Sequence, residues 1–133
     1  MKLGIIGQGY VGKAVKTTFE DYYEVLTYDI SPEISNTSNL LELVEKTDLV
    51  FICVPTPMKK DGSCDISIVD KILEEINTYK EIRTILFAIK STVLPGSTDK
   101  FISKYRNLNI VFNPEFLTEA NFLEDFKNQG IYL

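Results

Sequence analysis

Gly7, Gly9 and Gly12 stand in the run Gly7-Gln8-Gly9-Tyr10-Val11-Gly12, a G-x-G-x-x-G that follows a short apolar segment and opens a helix-period one. In that context the first glycine permits a tight turn and the second lets backbone approach a pyrophosphate, while the third lets helix and strand pack closely. The positive end of the helix then faces the anion. Asp29 closes the next apolar run about 20 residues on, the spacing at which a carboxylate accepts from ribose hydroxyls. The same charge repels a 2′-phosphate, and no Lys or Arg follows until Lys46, so NAD is expected in preference to NADP.

Three further strand ends carry residues able to do chemistry: Pro55-Thr56-Pro57, Lys90-Ser91-Thr92 and Asn113-Pro114-Glu115. Each has a bland explanation, since prolines stop strands, Ser and Thr turn chains, and a glutamate favours a helix start. All four ends fall at the carboxyl edge of a sheet, where ligands bind in folds of this kind. The candidate cofactor-binding residues are therefore Gly7, Gly9, Tyr10, Val11, Gly12, Asp29, Pro55, Thr56 and Thr92. Histidine is absent, which removes imidazole bases, the usual serine triads and most zinc sites, and no metal is expected.

The elements that must position these residues alternate along the chain. Strands are expected at 2–6, 24–28, 49–54, 84–89 and 108–112. Between the first two, Val11, Ala14, Val15 and Phe19 recur at helical spacing. A weaker helix is expected over 38–45 on Leu40, Leu41 and Val44, and a clearer one over 66–79, where Ile68, Val69, Ile72, Leu73 and Ile76 share a face. A fourth is expected over 97–105, and Asn113-Pro114-Glu115 reads as the cap and first turn of a fifth running to about residue 127. Such alternation predicts an α/β fold, a Rossmann-type doubly wound parallel sheet truncated at or near its sixth strand, which Ile131-Tyr132-Leu133 would open.

The 133 residues, 44% hydrophobic and 25% charged, suit one dinucleotide-binding domain spanning 1–133. A formal charge of −5 with scattered basic residues argues against nucleic acid, and the chain carries no apolar run of membrane length and no leader-like start. Cys53 lies in an apolar run and Cys64 in a polar one, so reduced cysteines and a soluble, cytoplasmic chain are expected. Phe122, Leu123 and Phe126, with the strand opened by Ile131, would lack cover, so a homo-oligomer or a complementary C-terminal half is expected as partner.

Four ordered motifs together resemble the N-terminal half of the UDP-glucose and GDP-mannose 6-dehydrogenases. They are Gly7 to Gly12; Val54-Pro55-Thr56-Pro57 with Asp61-Gly62-Ser63-Cys64-Asp65; Lys90-Ser91-Thr92-Val93-Leu94-Pro95-Gly96-Ser97-Thr98; and Asn113-Pro114-Glu115-Phe116-Leu117-Thr118-Glu119. The resemblance implies NAD-dependent oxidation of a nucleotide sugar at C6, with UDP-glucose the expected substrate and a cysteine carrying the intermediate. It also implies that Thr92 positions a water, Glu115 acts as acid/base, and the segment Phe116 to Glu119 lines the sugar; Thr92, Glu115 and Glu119 are the candidate catalytic residues. The family's catalytic cysteine belongs to a motif far downstream, and neither Cys53 nor Cys64 matches it. These residues alone are therefore expected to be inactive; the alternatives are a free-standing NAD-binding regulatory or interaction module and, less closely matched, an oxidoreductase of the hydroxyacid type.

Overall fold

The five apolar runs form strands separated by helices: β1 (Lys2–Ile6), α1 (Tyr10–Phe19), β2 (Glu24–Tyr28), α2 (Leu40–Glu45), β3 (Leu49–Ile52), α3 (Ser67–Asn77), β4 (Leu86–Ile89), α4 (Ser97–Lys104) and β5 (Asn109–Phe112). One 3-10 turn, Pro32–Ile34, interrupts the link from β2 to α2. This computed structural model of the chain describes residues 1–62, 65–79, 82, 84–91 and 96–113. Thr92, Glu115, Glu119, Cys64, the expected fifth helix and the expected sixth strand lie outside the described residues.

Among the described residues all four strand pairings are parallel, in the order β2-β1-β3-β4-β5. This is one of the two common doubly wound orders; its winding reverses at β1, which puts the crevice outside the carboxyl ends of β1 and β3. The core divides by sheet face. Leu3, Ile5, Phe51 and Cys53 pack with Ala14 and Val15 of α1, and Phe19 stacks on Phe51 at 6.0 Å. Ile6, Val50, Ile52, Phe87 and Ile89 pack on the other face with Leu43 of α2, Leu73 of α3 and Phe101 of α4.

Two helix faces differ from the sequence reading. In α2 the buried residues are Leu40, Leu43 and Val44, while Leu41 is 40% exposed. Asn39 caps this helix by accepting the Glu42 N–H at 2.8 Å, and Glu42 returns the contact by accepting the Ser38 N–H at 3.1 Å. Leu40, Leu43 and Val44 stand at offsets of three and four and share one face, whereas Leu41 is turned about 100° away from Leu40. In α3 Ile68 is exposed, and Val69, Leu73 and Ile76 make the buried stripe.

Strand ends differ slightly as well. Residues 84–85 belong to a turn, with the Ile85 N–H donating to the Ile82 carbonyl, and not to the β4 ladder. Cys53 and Val54 remain buried beyond the end of β3, and the Cys53 N–H still donates to Ile6 at 2.8 Å.

The outer edge of β2 is covered by side chains instead of a strand. Asn36 Oδ1 accepts the Thr27 N–H at 2.7 Å and Asn36 Nδ2 donates to the Val25 carbonyl at 3.0 Å. Thr37 Oγ1 donates to the Thr27 carbonyl at 2.7 Å, and Ser35 Oγ accepts the Asp29 N–H at 2.7 Å. The Thr27 N–H and carbonyl, the Val25 carbonyl and the Asp29 N–H, groups that an edge strand can leave open, are thus paired by residues 35–37.

Candidate functional site

The glycine run forms the turn from β1 into α1. Gly7 has φ 98°, a left-handed conformation that favours glycine, and a Cβ there would lie 2.8 Å from the Cys53 carbonyl. A Cβ on Gly12 would come within 1.9 Å of the Gly7 carbonyl oxygen, so α1 packs onto the turn only because that side chain is missing. Gly9 is the opposite case: a Cβ there meets nothing within 4 Å. The first and third glycines therefore serve packing, and the second borders open space at the amino end of α1, where Gly9 is the N-cap and offers no side-chain cap. Backbone N–H groups at such an end suit an anionic group.

Asp29 sits directly beyond β2 against this turn. Its Oδ2 accepts the Gln8 N–H at 2.7 Å and its Oδ1 accepts the Ser31 N–H at 3.0 Å. The second contact is an Asx turn, in which an aspartate holds the backbone two residues on. Each carboxylate oxygen keeps a second acceptor position, so the group can still receive hydroxyl donors. Gln8 is buried, and its side-chain amide donates to Gly7 at 3.2 Å, which stiffens the turn from inside.

The other strand ends continue the same edge. Gly7 N–H donates to Tyr28 at 2.8 Å, Lys90 N–H to Ile52 at 2.9 Å, and Asn113 N–H to Ile89 at 2.9 Å. Ser91 Oγ donates to the Val54 carbonyl at 2.6 Å, tying the end of β4 to the loop that carries Pro55 and Thr56. Pro55 is exposed and Thr56 partly so. Tyr10 is exposed at the first turn of α1, whereas Val11 packs against the core beneath that helix. Gly7, Gly9, Gly12 and Asp29 are thus brought together, and Pro55, Thr56 and Ser91 lie on neighbouring strand ends.

Two contributors have no part in the sequence reading, and the burial of a third residue, Lys90, is not foreseen there. Ser31 and Ser35 hold Asp29 through backbone contacts, and only Asp29-Ile30-Ser31-Pro32, a turn signature, hints at the first. Lys90 is 1% exposed, with its Nζ 5.8 Å from the centroid of the Phe51 ring, a cation–π distance that offsets part of the cost of burying an ammonium. No pattern of spacing marks a strand-end lysine as buried.

The arrangement fits a dinucleotide, with an open approach at the second glycine, helix amides beyond it, and an acidic acceptor set against the same turn. Comparison with known proteins agrees. Residues 24–131 match the UDP-glucose/GDP-mannose dehydrogenase family, NAD binding domain. The UDP-glucose 6-dehydrogenase of Rickettsia bellii is 38% identical over 94 residues, covering 68% of this chain and 21% of that protein. The UDP-glucose 6-dehydrogenase AglM of Haloferax volcanii is 29% identical over 166 residues, covering 95% of this chain and 39% of that protein. Among solved structures, a UDP-glucose dehydrogenase from Pyrobaculum islandicum superposes with a TM-score of 0.78 at 27% identity, covering 94% of this chain and 38% of that one. A GDP-mannose dehydrogenase from Pseudomonas aeruginosa shares the fold with a TM-score of 0.82 at 24% identity, covering 95% of this chain and 38% of that one. The chain thus spans less than two fifths of the length of these relatives. With four strand ends arranged as a dinucleotide edge and most of its length matched, the chain belongs to the UDP-glucose/GDP-mannose dehydrogenase family and is its NAD-binding domain.

Proposed function

We propose that the chain serves the NAD-dependent oxidation of a nucleotide sugar at C6, with UDP-glucose as substrate, in the cytoplasm and together with a complementary C-terminal half. The contact between Asp29 and Gln8 carries this reading, because it sets the ribose-binding carboxylate and the pyrophosphate-binding turn in one rigid unit. NAD supplies the hydride acceptor when bound. Gly7, Gly9 and Gly12 with the first turn of α1, including Tyr10 and Val11, hold its phosphates, and Asp29 holds the adenosine ribose; Pro55, Thr56 and Thr92 are assigned to the rest of the cofactor on their place in the sequence motifs.

Thr92, Glu115 and Glu119 are proposed as the catalytic residues contributed by this half, on the strength of their match to the family motifs. A carboxylate such as Glu115 can take the proton of the C6 hydroxyl, and Thr92 can orient a water for the later hydrolysis. The covalent step needs a thiolate within bonding distance of C6. Cys53 does not meet that need, being buried behind the Gly7 turn with its carbonyl against that glycine. The test is calorimetry with NAD and NADP, followed by NADH absorbance with UDP-glucose and GDP-mannose, without and with a candidate C-terminal half. NAD binding with turnover only in the combined sample supports the proposal. NAD binding without turnover in any combination favours the free-standing module.

A further inference from the structure

We infer that Ser35 is the positioning residue through which Asp29 distinguishes NAD from its 2′-phosphorylated form. The inference rests on Asp29 being the ribose-binding carboxylate, and goes beyond it by naming what orients that group. Ser35 grips the Asp29 peptide from both sides: its Oγ accepts the Asp29 N–H at 2.7 Å and lies 3.0 Å from the Asp29 carbonyl and 3.3 Å from the Ser31 carbonyl, so its single proton is shared between them. The hydroxyl therefore closes the turn 29–31 from outside. Inside that turn the Ser31 N–H holds Oδ1, and across it the Gln8 N–H holds Oδ2.

With one backbone donor on each oxygen, the carboxylate plane is fixed before any ligand arrives. Its unused acceptor positions can receive two neighbouring hydroxyls without a further ordering cost, which is the advantage of a preorganised site. A 2′-phosphate meets the same fixed negative charge, and no cation is near it in sequence to offset the repulsion, the segment 30–45 holding only acidic charges. Ser35 is held in turn by the neighbours that clip β2: Asn36 and Thr37 hydrogen-bond to Val25 and Thr27 rather than to Asp29. That separation allows orientation of the carboxylate to be tested apart from stability of the segment.

The experiment measures NAD and NADP affinities by calorimetry for the full 133-residue chain, with the thermal midpoint of each variant. Ser35→Ala should weaken NAD about fivefold, the effect of one lost aligning hydrogen bond, while NADP holds or tightens, so that the ratio of the two affinities narrows. Ser35→Thr keeps the hydroxyl and should keep the wild-type ratio. Thr37→Val should lower the thermal midpoint and leave the ratio alone. If the alanine variant does not fold, Ser35→Cys, similar in size but a poor hydrogen-bonding group, should narrow the ratio in its place. An unchanged ratio in the Ser35 variants, an equal fall for both dinucleotides, or the same narrowing in Thr37→Val would overturn the inference. Wild-type chain that binds both dinucleotides equally would instead overturn the role of Asp29 itself.

Discussion

Oδ2 of Asp29 accepts the backbone N–H of Gln8 at 2.7 Å, so the acid at the end of β2 and the turn at the end of β1 are one mechanical unit. Removing the acid should damage both. For Asp29→Ala we expect a stability loss of about 2 kcal/mol, from two backbone donors losing a charged acceptor, and NAD binding weakened more than about tenfold. NADP should be affected far less. Chemical unfolding and calorimetry on the same samples check both statements.

The glycines of the turn should separate cleanly. Gly12→Ala drives a Cβ into the Gly7 carbonyl and is expected to cost about 3 kcal/mol in unfolding experiments, whatever ligand is present. Gly9→Ala has free space and a φ of −72°, so stability should move by less than about 0.5 kcal/mol. Its methyl group occupies the approach to the helix amides, however, and NAD affinity should drop about tenfold. Normal NAD binding by Gly9→Ala would remove the pyrophosphate from that position.

Alkali should unfold the protein partly through Tyr79. Burial, followed by the nearby Glu75 carboxylate, pushes this phenol up from 10 to about 12. A group whose folded-state value is raised stabilises the fold below its unfolded value and loses that contribution as pH rises through the folded one. The loss belongs to the window from pH 10 to about 12. Over that window the unfolding midpoint of wild type should fall more steeply than that of Tyr79→Phe; parallel curves would contradict the assignment.

The 133 residues alone should bind NAD and yet show no sustained NADH formation with UDP-glucose. Positioning of substrate against the reacting groups can supply roughly 7–11 kcal/mol of barrier reduction, and covalent capture also needs a suitably placed thiolate. Steady turnover by the pure chain, followed by absorbance, would show that these residues hold a complete active site. Turnover abolished by Cys64→Ser would identify the thiolate.

The periodic features were legible in the sequence because they depend on neighbours along the chain. β1 and β2 have the expected bounds, and α1 buries Ala14 and Val15 as its spacing requires. The buried face of α2 was not legible, since Leu40-Leu41-Glu42-Leu43-Val44 offers apolar residues on more than one face and only packing on the sheet selects Leu40, Leu43 and Val44. The spacing of Asp29 from Gly7 is legible along the chain, but its grip on Gln8 and Ser31 emerges only when two strand ends meet. The clip at residues 35–37 has no local signature at all, because its partners are backbone atoms of β2. Lys90 stands in a strand-end motif, and only packing shows that it is buried.

The clip also limits association through sheet edges. A fibril built by strand addition needs every molecule to offer two open edges, one for each neighbour. Here the β2 side is occupied by Ser35, Asn36 and Thr37. With that side taken, the described sheet cannot offer two open edges at once, so strand addition through its edges does not propagate from copy to copy.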